Sequence, residues 1–527
     1  MKKYGPALGL LLLLCGFAFS LWQVGSRRAD ELDPDIRVLR IGHWLIHAGM
    51  REAMDAVIAD YEALHPDVRI RQNTVPIKSW HAWQRAQWTG GTTPDLMQLG
   101  KGTNDDTVAR YYHALTPHIE APNPYNAGSP LEGLPWRQTF VEGLNSGAVY
   151  FASFSEVFGI PAQVNTLRLY YNKTLLSEIT GSDRPPSTPE ELFALRAAVQ
   201  SWRQTSKRPV VPLSLCGPYG EFLFDRITNS LTQPLALELN PTRGLGENGL
   251  YTARAYLENR WSLRSPAAFR TLEYWAEVAA LAAPGYHQLP REEAMFNFVT
   301  GNAVLFYGGS WDYAGVTQES RFPVGVTTFP LPVPGEGRWG EFSLGPVSEA
   351  EGGMEAIFGI SRDSRHPELA LDFLRFFTSH RAASKFTEIS RRLSAIIEVP
   401  APPELAAMQP QSGGAHGGVN ISLRYNPGGN AGLLFNQNIH RLDARNRSAG
   451  EAAEDFVASF ESAWPEAIAR DLEMFPRSRL QLVRQGDVRQ TFALLRPTTS
   501  DAFDVLAESS LDAEIGLAQM REPLAPR

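Results

Sequence analysis

RVLRIGHWLIHAGMREAMDAVIADYEALHPDVRIRQNTV, residues 37–75, changes its hydrophobic period twice. The opening RVLRIGHW alternates in the manner of a strand. Met50, Met54, Val57, Ile58, Tyr61 and Leu64 then fall at helical spacing. Pro66 cannot continue a helix, because it lacks an N–H and crowds the preceding turn, so a second strand is predicted from Val68. Another helix, carrying Trp80, Trp83 and Trp88, runs to the turn GGTTP, and PDLMQLG makes a third strand. Strand and helix alternating in this way predict an α/β fold that begins a doubly wound parallel sheet. The three tryptophans read as helix core, with Trp80 and Trp83 the candidates to reach a cleft.

The alternation continues. GIPAQVNTLRLYYNKTLL (159–176) opens a second unit, with Leu167, Leu169 and Tyr171 in alternation. In STPEEL, Thr188 suits an N-cap, Pro189 the first helical position, and Glu191 the return arm of a capping box. Leu192, Leu195, Val199 and Trp202 then share a face, and VVPLSLCG (210–217) follows as a strand. FVTGNAVLFYGGSW (298–311) reads as a turn, a short apolar strand and two glycines that deliver Trp311. Glycine accepts positive φ and close backbone approach, so Gly308 and Gly309 are expected to turn the chain there. Trp311 would then stand at a strand's carboxyl end, the edge where open α/β sheets hold ligands. In HPELALDFLRFF (366–377), Pro367 starts a helix with Ala370, Phe373, Leu374 and Phe377 on one face. No repeat of fixed period is present, which argues against a solenoid or propeller.

A chain of 527 residues with 43% hydrophobic and 20% charged residues is ordinary globular material for more than one lobe. A formal net charge of −8 offers no basic footprint, so nucleic acid is not an expected partner. The 11 histidines show no H-E-x-x-H spacing and no G-x-x-x-x-G-K-[ST] loop occurs, so neither metal nor cofactor is expected. Lys2, Lys3 and the apolar run Ala7 to Trp22 read as an export signal with an A-x-S cleavage site at Ala18–Ser20. The run is short for a membrane span, yet Arg27 and Arg28 just beyond it leave an uncleaved anchor as the second reading. Membrane contact would be confined to that segment. Leu14 before Cys15 is a poor lipoprotein box, and cutting after Ser20 would leave Cys216 as the single cysteine, read as a buried apolar residue with no internal disulfide to make.

The ordered set TPDL, LYYNKTLL behind which PPSTPEEL follows, FVTGNAVLFYGGSW, and GGMEAIFGISRDSRHPELALDFLRFF resembles the extracellular solute-binding proteins of bacterial sugar ABC transporters, the maltose-binding-like family. The likeness runs over residues 36–475. It implies an α/β, two-lobed periplasmic-binding-protein fold, each lobe a doubly wound sheet flanked by helices. Lobe I would take 36–164 and the stretch near 322–395, and lobe II 165–321 and the stretch near 396–475. Residues 476–527 are left as a C-terminal helical extension that the family pattern does not explain. The chain would be a monomer and not an enzyme. It would capture a carbohydrate, an oligosaccharide, between the lobes and deliver it to the transmembrane subunits of an ABC permease. Crossings near Asn165 and near 322–334 would form the hinge.

The same resemblance assigns Trp311 as a stacking platform for a sugar ring, with Asp312 accepting hydroxyl hydrogens. Trp44 at the end of the first strand has similar geometry. Asn165, Tyr219, Lys101 and Glu355 complete the expected ligand-binding set. Five of these have a plainer alternative: Trp311 and Trp44 as core, Asp312 and Lys101 as solvated charges, Asn165 as a turn residue. SRRLSAIIEVP (390–400) departs from the family by postponing its proline to Pro400. Two other functions share much of this pattern. An exported glycoside hydrolase needs two carboxylates about 5–10 Å apart, and no motif singles out such a pair. A sugar-sensing subunit of a receptor kinase would keep the fold and favour the anchor.

Overall fold

The computed structural model describes residues 35–474, apart from 47–48, 101–102, 104, 147, 152–153, 155, 240–248, 350–352, 412, 416 and 425–427, and also residue 518. The N-terminal apolar segment, Lys101 and residues 476–527 other than 518, on which three of the expectations fall, lie outside the described residues.

Twelve strands are described: β1 (Arg37–His43), β2 (Val68–Thr74), β3 (Leu96–Gln98), β4 (Tyr150–Phe151), β5 (Glu156–Val157), β6 (Ile160–Val164), β7 (Leu167–Asn172), β8 (Val211–Ser214), β9 (Ala303–Gly309), β10 (Val324–Thr327), β11 (Met354–Ile360) and β12 (Leu393–Ser394). They form a six-stranded sheet in the order β12-β6-β11-β3-β1-β2, a four-stranded sheet in the order β10-β7-β9-β8, and the small β4-β5 ribbon. In the first sheet β1 runs parallel to β2 and β3, as the opening periodicity asks. The returning strands are antiparallel, with β11 against both β3 and β6. The second sheet pairs β8 and β9 in parallel and sets β7 antiparallel between β9 and β10. Both sheets are therefore mixed rather than wholly parallel, because some strands arrive by crossing from the other sheet rather than through a local helix.

The helix Met50–Leu64 buries Met50, Met54, Val57, Ile58 and Tyr61, while Leu64 at its end is exposed. Tyr61 and Tyr125 both donate to the Asp372 carboxylate at 2.7 Å, which joins this helix to Pro367–Phe377. Thr188 caps the helix Pro189–Ser206 as expected, its Oγ1 accepting from the Glu191 N–H. The Glu191 carboxylate instead accepts from the N–H and hydroxyl of Ser187, two donors where the Thr188 backbone offers one.

The chain passes from the first sheet to the second between Val164 and Leu167. The return lies later than 322–334, since β10 still pairs with β7. The proline-rich run 329–337 stays on the second unit, where Pro330 C=O accepts from Tyr274 at 2.6 Å and Trp339 packs on Phe193 and Tyr274. The transfer comes before β11, and a third crossing follows β12.

These crossings are fastened together. Asn165 N–H donates to Gly353 C=O at 2.7 Å, and Thr166 Oγ1 donates to Met408 C=O at 2.6 Å. Gly353 has φ +98°, and a Cβ there would stand 2.0 Å from Asn165 O, so only glycine lets the two strands pass. Arg168, 1% exposed, forks onto both oxygens of Glu349 at 2.9 and 3.0 Å and also donates to Ala407 and Gln409 carbonyls. Arg226 reaches the same carboxylate at 2.6 Å. Burial alone would raise the Glu349 carboxyl, but the two guanidinium groups outweigh it and hold it below its usual value.

Glu349→Gln keeps the shape and leaves two buried cations without their counter-charge. It is expected to cost about 3–5 kcal/mol, read as a lower denaturant midpoint. Because the folded carboxyl lies below its unfolded value of about 4.3, this stabilisation is complete above that pH and is lost as pH falls through the folded value. A midpoint that does not move would show the triad to be energetically idle.

Candidate functional site

Each sheet delivers polar and aromatic groups from the carboxyl ends of two parallel neighbours. In the second sheet, Tyr219 follows β8 on the helix Gly217–Leu231, and Trp311 and Asp312 follow β9 in a single tight turn, Ser310–Asp312. Gly308 and Gly309 do not turn the chain through positive φ. They are the last residues of β9, and Gly309 is extended at φ −89°, ψ 159°. Glycine is required for a different reason: a Cβ on Gly309 would stand 2.2 Å from the Trp311 indole, and one on Gly308 2.5 Å from the Phe306 ring. The indole thus lies directly on the strand's backbone.

Its edge is pinned. Trp311 Nε1–H donates to Tyr219 Oη at 2.7 Å, and Tyr219 Oη–H donates to Asp312 Oδ2 at 2.5 Å. Gly309 N–H donates to the same carboxylate oxygen at 2.9 Å, and Arg291 stands 3.4 Å from Oδ1. Tyr219 and Asp312 are each 2% exposed, whereas Trp311 is half-buried. Burial pushes the Asp312 carboxyl up from the usual range, against the pull of Arg291 and the Tyr219 hydrogen bond. Burial also raises the Tyr219 phenol well above its ordinary value, so it remains a hydroxyl. Asp312 is therefore no solvated charge but the buried anchor of this turn.

In the first sheet, Trp44 follows β1 and is buried edge-on against Trp80 at 5.0 Å between ring centres. Gln98, the last residue of β3, accepts from the Trp44 N–H at 3.1 Å and donates from Nε2 to Glu355 at 3.3 Å. Trp80 is fully buried, as its reading as helix core asks, and does not reach a cleft. Asn165 stands at the crossing, where Ser310 Oγ donates to its Oδ1 at 3.3 Å and Ser310 N–H donates to Thr166 C=O. The structure thus unites Tyr219, Trp311 and Asp312, joins Asn165 to them through Ser310, and links Trp44 to Glu355 through Gln98. Two further groups escaped the sequence reading. Gln98 carried a signal, a polar residue closing an apolar strand. Arg291, in LPREEAMF, carried none beyond its charge.

Cys216 is buried with its thiol pushed up to about 11 by that burial, which suits an inert apolar role. Among the described residues no group of three or more His, Cys, Asp or Glu is placed to hold a metal, and no helix is long and apolar enough to cross a membrane.

The sequence model of the bacterial extracellular solute-binding proteins matches residues 56–411, more than half of the chain. The chain belongs to this family. Among relatives of this solute-binding protein, an uncharacterized ABC transporter extracellular-binding protein of Pyrococcus horikoshii is 20% identical, covering 72% of this chain and 77% of that protein. The multiple sugar-binding protein of Streptococcus mutans is 22% identical, over 64% and 72% respectively. The solute-binding protein RafE of Streptococcus pneumoniae, solved in complex with raffinose, superposes with a TM-score of 0.51 at 16% identity, covering 81% of this chain and 100% of that one. At that identity the likeness speaks for the two-lobed fold.

Tyr219→Phe deletes one oxygen and strands both the Trp311 N–H and an Asp312 lone pair in a buried place. A loss of about 1–3 kcal/mol in unfolding free energy is expected. A variant as stable as the parent would mean that solvent already serves those groups.

Proposed function

We propose that this chain captures a carbohydrate between two lobes, one built on β1–β3, β6, β11 and β12 and the other on β7–β10, and presents it outside the cytoplasm to an ABC permease. It binds the sugar without turning it over. The observation that carries this reading is the Tyr219–Trp311–Asp312 lock: a half-buried indole held at fixed orientation at the carboxyl edge of β9. A pyranose has an apolar C–H face and a rim of hydroxyls. A rigid aromatic plate costs little conformational entropy to present, and groups such as Asn165 and Glu355 supply rim partners. The relatives named for sugar binding, and the raffinose complex among the similar structures, support the same class.

Three chain crossings with their hydrogen bonds gathered near Asn165 support a hinge. A sugar touching both lobes binds the closed form better and shifts the population toward it. Small-angle scattering is expected to give a smaller radius of gyration under saturating sugar; an unchanged value would mean a rigid site.

Trp311→Ala is expected to weaken sugar binding at least tenfold in titration calorimetry. Aromatic packing contributes about 0.5–1.5 kcal/mol beyond its buried area, and about 1.4 kcal/mol corresponds to a factor of ten. Unaltered affinity in a folded variant would return Trp311 to a packing role. Release of shorter products from a glycan panel would overturn binding without turnover.

A further inference from the structure

The SRRL turn, after which the proline is postponed to Pro400, carries a buried group that the packing does not satisfy. Arg392 follows the helix Ser-capped at Ser379, His380–Ser390, and immediately precedes β12 at the edge of the first sheet. Its side chain is 2% exposed, and neither Nη1 nor Nη2 finds a hydrogen-bond partner among the described residues. The groups that act on it electrostatically, Asp312, Tyr170, Arg291 and Tyr219, all belong to the second sheet's unit. Its neighbour Arg391 pairs with Glu404 across the same seam. A first-sheet guanidinium therefore lies enclosed among second-sheet residues, beside the turn that carries Trp311.

Such a group is costly unless it is paired. Burial lowers the Arg392 guanidinium to about 10, although the Asp312 charge resists the shift. Asp312 is one carboxylate for two guanidinium groups: its Oδ2 accepts from Tyr219 and the Gly309 N–H, while its Oδ1 stands 3.4 Å from Arg291 and makes no hydrogen bond to Arg392. Two guanidinium groups face one carboxylate, so the cluster carries surplus positive charge. The free ends of Arg392 form a planar fork whose natural complement is a carboxylate held by two parallel hydrogen bonds.

We propose that the sugar bound by this protein is acidic: an oligosaccharide with a uronate residue whose carboxylate takes the Nη1 and Nη2 donors of Arg392 when the lobes close over the Trp311 platform. This rests on the carbohydrate-binding function proposed above and narrows it to a ligand class. Opening of the two units at their seam is what exposes the fork to the incoming ligand.

The test uses the full chain and calorimetric titration at low ionic strength. Matched trisaccharides in gluco, galacto and manno configurations are compared, each as the neutral sugar and as the uronate. The uronate of the best-bound pair is expected to bind at least tenfold more tightly than its neutral counterpart. Arg392→Gln is expected to abolish that preference, and Arg392→Lys, which keeps the charge without the fork, to retain part of it. Neutral sugars binding as tightly as uronates to the parent protein, or a preference that persists in Arg392→Gln, would overturn the acidic-ligand inference and leave carbohydrate binding standing. Binding of no sugar in either series would overturn both. Because the parent's own preference is read first, a variant that fails to fold does not remove the test.

Discussion

The buried Arg168–Glu349–Arg226 triad is the interaction on which the rest of this architecture hangs. Arg168 opens β7, Arg226 lies on the helix Gly217–Leu231, and Glu349 lies in the segment that leads into β11. Glu349 also exchanges backbone and side-chain hydrogen bonds with Gln411, so the passage that follows β12 is tied in as well. Each partner alone would be an uncompensated buried charge, a far larger penalty than the pair's net benefit. The chain therefore has one arrangement in which all three crossings are satisfied together, and that arrangement sets where the first sheet stops and the second begins.

With the crossings set, the two sheets present their carboxyl edges in the same way. Parallel neighbours β1 and β3 end beside Trp44 and at Gln98, and parallel neighbours β8 and β9 end near Tyr219 and Trp311. Parallel pairing places the ends of two strands side by side, so residues distant in sequence meet there without special loops. Antiparallel β7 and β11 do other work: they carry the chain between sheets and bring Asn165 and Glu355 to the same region.

The chemistry of the second-sheet cluster follows from its burial. In water, Asp312, Tyr219 and Arg291 would each be hydrated and mobile. Enclosed, they must satisfy one another, and the hydrogen bonds from the Trp311 indole through Tyr219 to Asp312 fix the ring more firmly than packing alone. Orientation of the ring is thus set by a carboxylate that itself need not touch a ligand. Among the described residues, neither Nη1 nor Nη2 of Arg392 has an acceptor in this cluster.

Much of the fold was legible in the residues, because strands and helices announce themselves by period. The βαβαβ opening, the Thr188 cap and the buried faces of Met50–Leu64 and Pro367–Phe377 depend on neighbours within a few positions, which a sequence displays directly. Gly308–Gly309 and Trp311 were legible as a feature but not in their cause: the glycines serve the close approach of two rings rather than a left-handed turn, a fact of three-dimensional proximity. The site was legible only in part. Trp311, Tyr219 and Asp312 sit at predictable strand ends, yet the roles of Gln98, Arg291 and Arg392 required knowing what faces them across tens or hundreds of residues. Hydrophobic period alone specifies the alternation of elements, and with it the α/β class and the carboxyl-edge positions. Which strands run antiparallel, where the chain changes sheets, and which charges are buried beside which partners were decided only by the tertiary structure, because burial and pairing energies belong to contacts between segments and leave no period in either one.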